Sequence, residues 1–297
     1  MKKQDKSGSK KQNLGNSRKS SKASFLFWLV IPLVLVWLSL NYVVGLSKDK
    51  PQWVLSKTTG DDLTNVEPYT IKFEKVPPTS TGYVTLWLDD AWLSQYLIAA
   101  PLIRKYEFTA AIAVPPFAIE KQNYVNWAQL RTLQSDGWEI NNHSYKHDCT
   151  MQNWDSEKIG EDLDVATKYL WKNKLSADIF VSPCGVISDT LLEEAKRKFI
   201  AFRSVEPGFN EIDNISPYDL KVKNITSATT FEEVMEWIDQ AYNDNLWLIL
   251  VFHKFDEETG STDADLFNIS SDNFEAILYY LRQIEMKVVL PSQILTL

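Results

Sequence analysis

The chain contains three histidines, His143, His147 and His253, each just after a predicted strand, and a pair of adjacent carboxylates, Asp89-Asp90, at the end of an apolar one. His143 and His147 are spaced H-x-x-x-H, and on a single turn this spacing puts two imidazoles on one face, a common metal-ligand arrangement. Such a pair also arises readily by chance. Asp89-Asp90 ends Val84-Thr85-Leu86-Trp87-Leu88, where adjacent side chains diverge, so the two carboxylates can take separate roles. One can join the imidazoles as a third ligand, leaving positions for water and substrate, while the other stays unligated and accepts a proton from that water. An Asp in front of a helix can equally serve as a cap. His253 closes Leu248-Ile249-Leu250-Val251-Phe252, a run typical of a buried parallel strand, and a histidine there can protonate a leaving amine. A buried hydrogen-bonded histidine is the alternative.

Elements that would position these residues alternate along the chain. The pattern predicts strands at Tyr83 to Leu88, Thr109 to Val114, Trp138 to Asn141, Ile179 to Val181, Ile200 to Arg203, Leu246 to Phe252 and Lys287 to Leu290. Amphipathic helices are predicted at Trp92 to Tyr106, Trp127 to Ser135, Asp155 to Trp171, Asp189 to Lys198, Thr230 to Asn243 and Ser270 to Ile284, several opened by a capping side chain. About seven βα units imply a parallel barrel, in which functional residues gather at the C-terminal ends of the strands.

Charge and hydropathy divide the chain further. Residues 1 to 24 carry eight Lys or Arg against Asp5, a local net of +7, so the remainder carries -15 of the total of -8. An acidic folded part argues against a nucleic-acid partner. No charged residue occurs from Ala23 to Leu46, and this stretch is long enough to span a hydrocarbon core of roughly 30 Å. The expected organisation is a basic cytoplasmic tail (1-24), a transmembrane signal-anchor helix (25-46), an extracytoplasmic stalk (47-80) with one short strand at Tyr69 to Phe73, and a catalytic domain (81-297) outside the cell membrane. A cleavable signal peptide is the alternative for the apolar stretch. Two cysteines, Cys149 and Cys184, do not make a disulfide-stapled scaffold, and both are read as small packing residues by default. A bond between them would need Cα atoms within roughly 7 Å.

Taken in order, Leu88-Asp89-Asp90-Ala91-Trp92, His143-Ser144-x-x-His147, Phe180-Val181-Ser182-Pro183-Cys184-Gly185 and Val251-Phe252-His253 resemble the motifs of the polysaccharide deacetylases, carbohydrate esterase family four. The resemblance covers about residues 80 to 295. It implies a distorted (β/α)7 barrel with a groove for an extended glycan, and hydrolysis of N-acetyl or less often O-acetyl groups. It further implies Asp89 as catalytic base, Asp90, His143 and His147 as metal ligands, and His253 as general acid.

Three departures from the family pattern stand out. Ala91 occupies a place usually held by Gly, while Val181 and Cys184 stand where the family often has an orienting Arg and an aromatic whose backbone N–H helps bind the oxyanion. A backbone N–H survives any substitution except Pro, which keeps the Pro183-Cys184-Gly185 turn a candidate oxyanion site. Arg203, at the tip of the next predicted strand, is the candidate replacement for the missing charge beside Asp89, and Trp92 is the tryptophan expected near the groove; Trp87 and Trp247 are expected inside. Two imidazoles and a carboxylate suit zinc, with cobalt or nickel as alternatives. The expected partners are an acetylated amino-sugar polymer and, through one helix, the membrane. The rival readings are a catalytically silent glycan-binding module and a scaffold of a membrane glycan-synthesis system.

Overall fold

Consecutive apolar residues in Leu246–Phe252 reflect burial on both faces: Trp247, Ile249 and Val251 belong to an inner cluster, Leu248, Leu250 and Phe252 to an outer one. In the computed structural model, which describes residues 62–256 and 266–295, the same alternation recurs around a barrel. The strands are β1 (Tyr83–Leu88), β2 (Ala111–Val114), β3 (Glu139–Asn142), β4 (Ile179–Val181), β5 (Ala201–Pro207), β6 (Asn210–Glu211), β7 (Leu220–Asn224), β8 (Leu246–Phe252), β9 (Lys254–Asp256) and β10 (Asn268–Ser270). Seven of them run parallel in the order β1-β2-β3-β4-β5-β7-β8, and β8 pairs back to β1 from Tyr83 opposite Trp247 to Leu88 opposite Phe252. The barrel is therefore closed. Strand β6 adds an antiparallel pairing to β8, and β9 and β10 form a separate parallel pair.

Helices cover the outside: α1 (Ala100–Lys105), continuing a π-helical turn at Gln95–Ala99, then α2 (Trp127–Ser135), α3 (Ser156–Lys172), α4 (Asp189–Lys198), α5 (Phe231–Asn243) and α6 (Ser271–Gln283). Their starts follow from side-chain caps. Asn126 and Gln129 form a capping box on α2, Thr230 and Glu233 another on α5, and Asp155, Ser188 and Ser270 cap α3, α4 and α6. Short α7 (Pro291–Leu295) closes the N-terminal end of the barrel, with Ile294 in the inner cluster and Ser292 on Glu139. Trp87 and Trp247 are fully buried inside; an aromatic of this size buries roughly 200 Å², worth about 5 kcal/mol before the entropy of ordering it. The interior is filled, which leaves the C-terminal mouth for chemistry.

Several elements differ from expectation. Lys287 to Leu290 is not a full strand: β2 begins opposite Trp87, and the segment fills the gap beside Val84 with one bridge, Val84 to Val288. Leu220–Asn224 supplies the seventh strand instead. The predicted helix from Trp92 begins one residue later, at Leu93, because Trp92 is held in a bridge to Tyr124, and no strand forms at Tyr69 to Phe73. Within the expected stalk, Val76 N–H donates to the Gln293 carbonyl at 3.2 Å, so the chain meets the barrel before residue 81. The expected basic tail, the expected membrane-spanning helix and the first part of the expected stalk lie outside the described residues; among the described residues no helix is long and apolar enough to cross a membrane.

Candidate functional site

Asp89, Asp90, His143, His147, Arg203 and His253 all meet at the C-terminal mouth of the barrel. Strand β1 delivers the two aspartates, and the chain then reverses through two left-handed residues, Asp90 (φ 75°) and Ala91 (φ 60°). That conformation favours Gly, so Ala91 carries a small strain at the position where the family pattern has Gly. The loop after β3 holds His143 and then His147, the latter also left-handed at φ 57°. Ser144 Oγ accepts from the His147 N–H at 3.0 Å and fixes that turn.

Asp90 Oδ1 lies 3.3 Å from His143 Nε2 and 3.2 Å from His147 Nε2. His143 Nδ1 sits 2.8 Å from the Val181 carbonyl oxygen, which can only accept, so in the neutral imidazole Nδ1 carries the proton and Nε2 presents a lone pair to Asp90. Two lone pairs at that separation repel unless a cation lies between them. The donor set therefore fits a divalent ion, with the second-shell hydrogen bond that orients a ligating histidine. With His143 protonated instead of an ion bound, burial opposes the charged form of Asp90, but the hydrogen bond and charge of His143, with the charges of His147 and His253, outweigh it and hold the carboxyl well below the usual range. Burial and then the charge of His143 push His147 down to about 4, which keeps its imidazole neutral and able to ligate.

Asp89 belongs to a different arrangement. Arg203 Nη2 donates to both of its oxygens at 2.5 Å, and both residues are buried. Val181 and Arg203 are register partners on β4 and β5, so Arg203 rises from the same level of the barrel as the place where the family pattern puts its Arg. The Val181 side chain instead joins the inner apolar cluster. His253 Nε2 lies 3.9 Å from Asp89 Oδ2, and its buried Nδ1 has no hydrogen-bond partner among the described residues.

Residues 77–200 match the polysaccharide deacetylase family. The match takes in Asp89, Asp90, His143, His147 and Cys184 and ends before Arg203 and His253. No curated protein matches the chain. Among solved structures, a carbohydrate esterase family four domain of a multidomain xylanase from the hindgut metagenome of Trinervitermes trinervoides is similar at TM-score 0.51 and 13% identity, over 73% of this chain and 90% of that one. A family four pseudoenzyme from Bacillus anthracis is similar at TM-score 0.50 and 16% identity, over 72% of this chain and 66% of that one. At these identities the structural likeness speaks for the shared fold.

The rest of the site departs from expectation at the two cysteines. Cys149 and Cys184 are not separate packing residues: they form a disulfide, with Cα atoms 5.4 Å apart, because the loops after β3 and β4 converge over the mouth. His147, Cys149 and Cys184 also lie close enough to hold an ion, but sulfurs joined to each other are not thiolate ligands. Cys184 occupies the turn Pro183–Gly185 at φ 53°. Gly185 there is left-handed and a Cβ would strike Val205, so the turn requires Gly.

Gln95 was not legible as a site residue. It is fully buried, and its Nε2 donates to the Asp89 carbonyl at 2.5 Å and the His253 carbonyl at 2.7 Å, clipping the two strand ends together. Trp92 lies half-buried beside the triad, its Nε1 donating to Asp90 Oδ2 at 3.0 Å and its ring stacked on Tyr124 at 4.3 Å.

Proposed function

We propose that this chain is a metal-dependent hydrolase that removes acetyl groups, N-acetyl or O-acetyl, from an amino-sugar polysaccharide at the cell surface. The single observation that carries the reading is the separation of two carboxylates. Asp90 faces two imidazole nitrogens at 3.2 and 3.3 Å, while its neighbour Asp89 faces Arg203 and His253. A divalent ion bound by Asp90, His143 and His147 would supply Lewis acidity to a water and to the acetyl carbonyl. Zinc suits two imidazoles and a carboxylate, as do cobalt and nickel.

Asp89 is free of that ligand set and oriented by Arg203, so it is placed to take the proton of the attacking water. His253, with Nε2 3.9 Å from Asp89 Oδ2, gives a proton to the departing amine nitrogen or alkoxide oxygen. The Cys184 backbone N–H is assigned to the developing oxyanion, since Pro183 has no N–H and the Gly185 N–H already donates to the Ser182 carbonyl at 3.1 Å. The presence and convergence of all five polar residues weigh against a silent glycan-binding module or a scaffold. The basic tail and the uncharged stretch after it support a single-pass membrane anchor with the barrel outside, and the disulfide agrees with an oxidising compartment.

The test is acetate release from peptidoglycan, poly-N-acetylglucosamine and capsular glycans, with metal content measured on the same samples. Asp89→Asn is expected to keep its metal and lose roughly 100-fold in turnover, and Asp90→Asn to lose the metal. Wild-type turnover in metal-loaded Asp89→Asn would overturn the mechanism.

A further inference from the structure

Next to Asp90 and His147, the barrel mouth opens into a cleft of about 320 Å³ whose walls include Trp92, Phe117, Tyr124 and two lysines, Lys121 and Lys146. Lys121 Nζ lies 3.1 Å from the centroid of the Phe117 ring, and Lys146 Nζ lies 5.5 Å from the same centroid. Two ammonium groups therefore flank one exposed aromatic ring. Among the described residues neither is in an ion pair; Asp148 and Asp162 act on Lys146 only at longer range. Burial, then the charge of Lys146, lowers the proton affinity of Lys121, the expected result of holding like charges together without a counter-ion.

The placement runs against the rest of the molecule. Beyond residue 24 the chain is strongly acidic, so lysines scattered for solubility would find carboxylate neighbours readily. The negative charge in the cleft itself, on Asp90, is already directed at His143 and His147. A neutral sugar lying on Phe117 and on the Trp92–Tyr124 stack would cover both ammonium groups and leave them without a counter-charge, which is unfavourable. A sugar bearing an anionic group would pair with them while its ring stacks on the aromatics.

We propose that this cleft is a subsite for an acidic sugar, one carrying a carboxylate or phosphate group next to the acetylated residue at the triad. The proposal rests on the deacetylase reading and narrows it: the polymer is an anionic amino-sugar glycan rather than a neutral one. The salt dependence follows, because exposed charge pairs weaken once the Debye length falls to about 3 Å at roughly 1 M salt.

Three acetylated oligosaccharides of equal length and linkage serve as probes for the full chain: one neutral, one with a carboxylate and one with a phosphate. Calorimetric binding and acetate release are measured on each. The expected result is about tenfold tighter binding of at least one acidic probe, lost in high salt and lost in Lys121→Gln/Lys146→Gln, with Lys121→Glu weakening that probe further; the tighter of the two identifies the anion. Equal binding of all three probes, or a preference that survives the double substitution, would overturn the subsite. An acidic preference without acetate release from any probe would leave the subsite standing and sink the deacetylase reading instead.

Discussion

Arg203 places one nitrogen, Nη2, 2.5 Å from both oxygens of Asp89, a residue 114 positions earlier in the chain. Its Nη1 donates to the Ser204 carbonyl at 3.1 Å, and its guanidinium carbon sits 4.9 Å from the centre of the Trp87 ring. A charge this deeply buried is tolerated because it is paired, and the pairing also fixes which way the carboxylate points. Orientation and stability therefore rest on the same contact.

Arg203→Met is accordingly expected to destabilise the fold by about 3–5 kcal/mol, since it leaves the buried Asp89 charge uncompensated. Removing both charges in Arg203→Met/Asp89→Asn should recover much of that loss. Urea unfolding of the two single variants and the double variant measures the coupling. Additive losses would show that the two side chains do not stabilise one another.

How much of this was legible depended on whether a feature was local. Apolar strands ending in polar residues marked β1 and β8, and with them Asp89, Asp90 and His253, because burial on both faces writes itself into consecutive residues, whereas β3 is mostly polar and His143 was marked by its spacing to His147. Strand β7 escaped notice because Lys221 and Lys223 alternate with Leu220 and Val222; Lys223 lies over the rings of Phe209 and Trp237, so its charge masks a packed position. Gln95 could not be read, since its role exists only once β1 and β8 are closed side by side. The disulfide was equally non-local: 35 residues separate its cysteines, and only the parallel pairing of β3 with β4 brings their loops together.

Glu139 gives a pH prediction. It is fully enclosed at the N-terminal end of the barrel, where Ser292 donates to it from its backbone N–H at 3.0 Å and from Oγ at 2.9 Å. Burial outweighs these hydrogen bonds and pushes its carboxyl up to about 7. The folded state thus holds a proton that the unfolded chain releases near pH 4.5, so the stabilisation is complete below that value and is lost as pH rises through about 7. Unfolding measured at pH 5 and pH 8 should show wild type losing on the order of 1–3 kcal/mol more than Glu139→Gln over that interval. Identical pH dependence in both proteins would mean that Glu139 is ionised in the fold throughout.

The Cys149–Cys184 disulfide ties the loop carrying His147 to the turn Pro183–Gly185, and its two roles can be separated. As a cross-link over 35 residues it restricts the unfolded chain by about 4 kcal/mol on a loop-entropy estimate. In the folded state its release falls on a short stretch in which His147 already holds a left-handed backbone, two residues before Cys149. Reduction is a poor test, because free thiols beside His147 would themselves offer metal ligands. Cys149→Ser/Cys184→Ser avoids this. The double variant is expected to lower Tm by roughly 8–15 °C and to weaken metal binding about tenfold, with His147 rather than His143 losing its place, since His143 stays fixed by the Val181 carbonyl. Titration with zinc, read alongside the imidazole resonances of the two histidines, distinguishes the effects. A lower Tm with unchanged metal affinity would leave the disulfide as a stabiliser of the fold and remove it from the site.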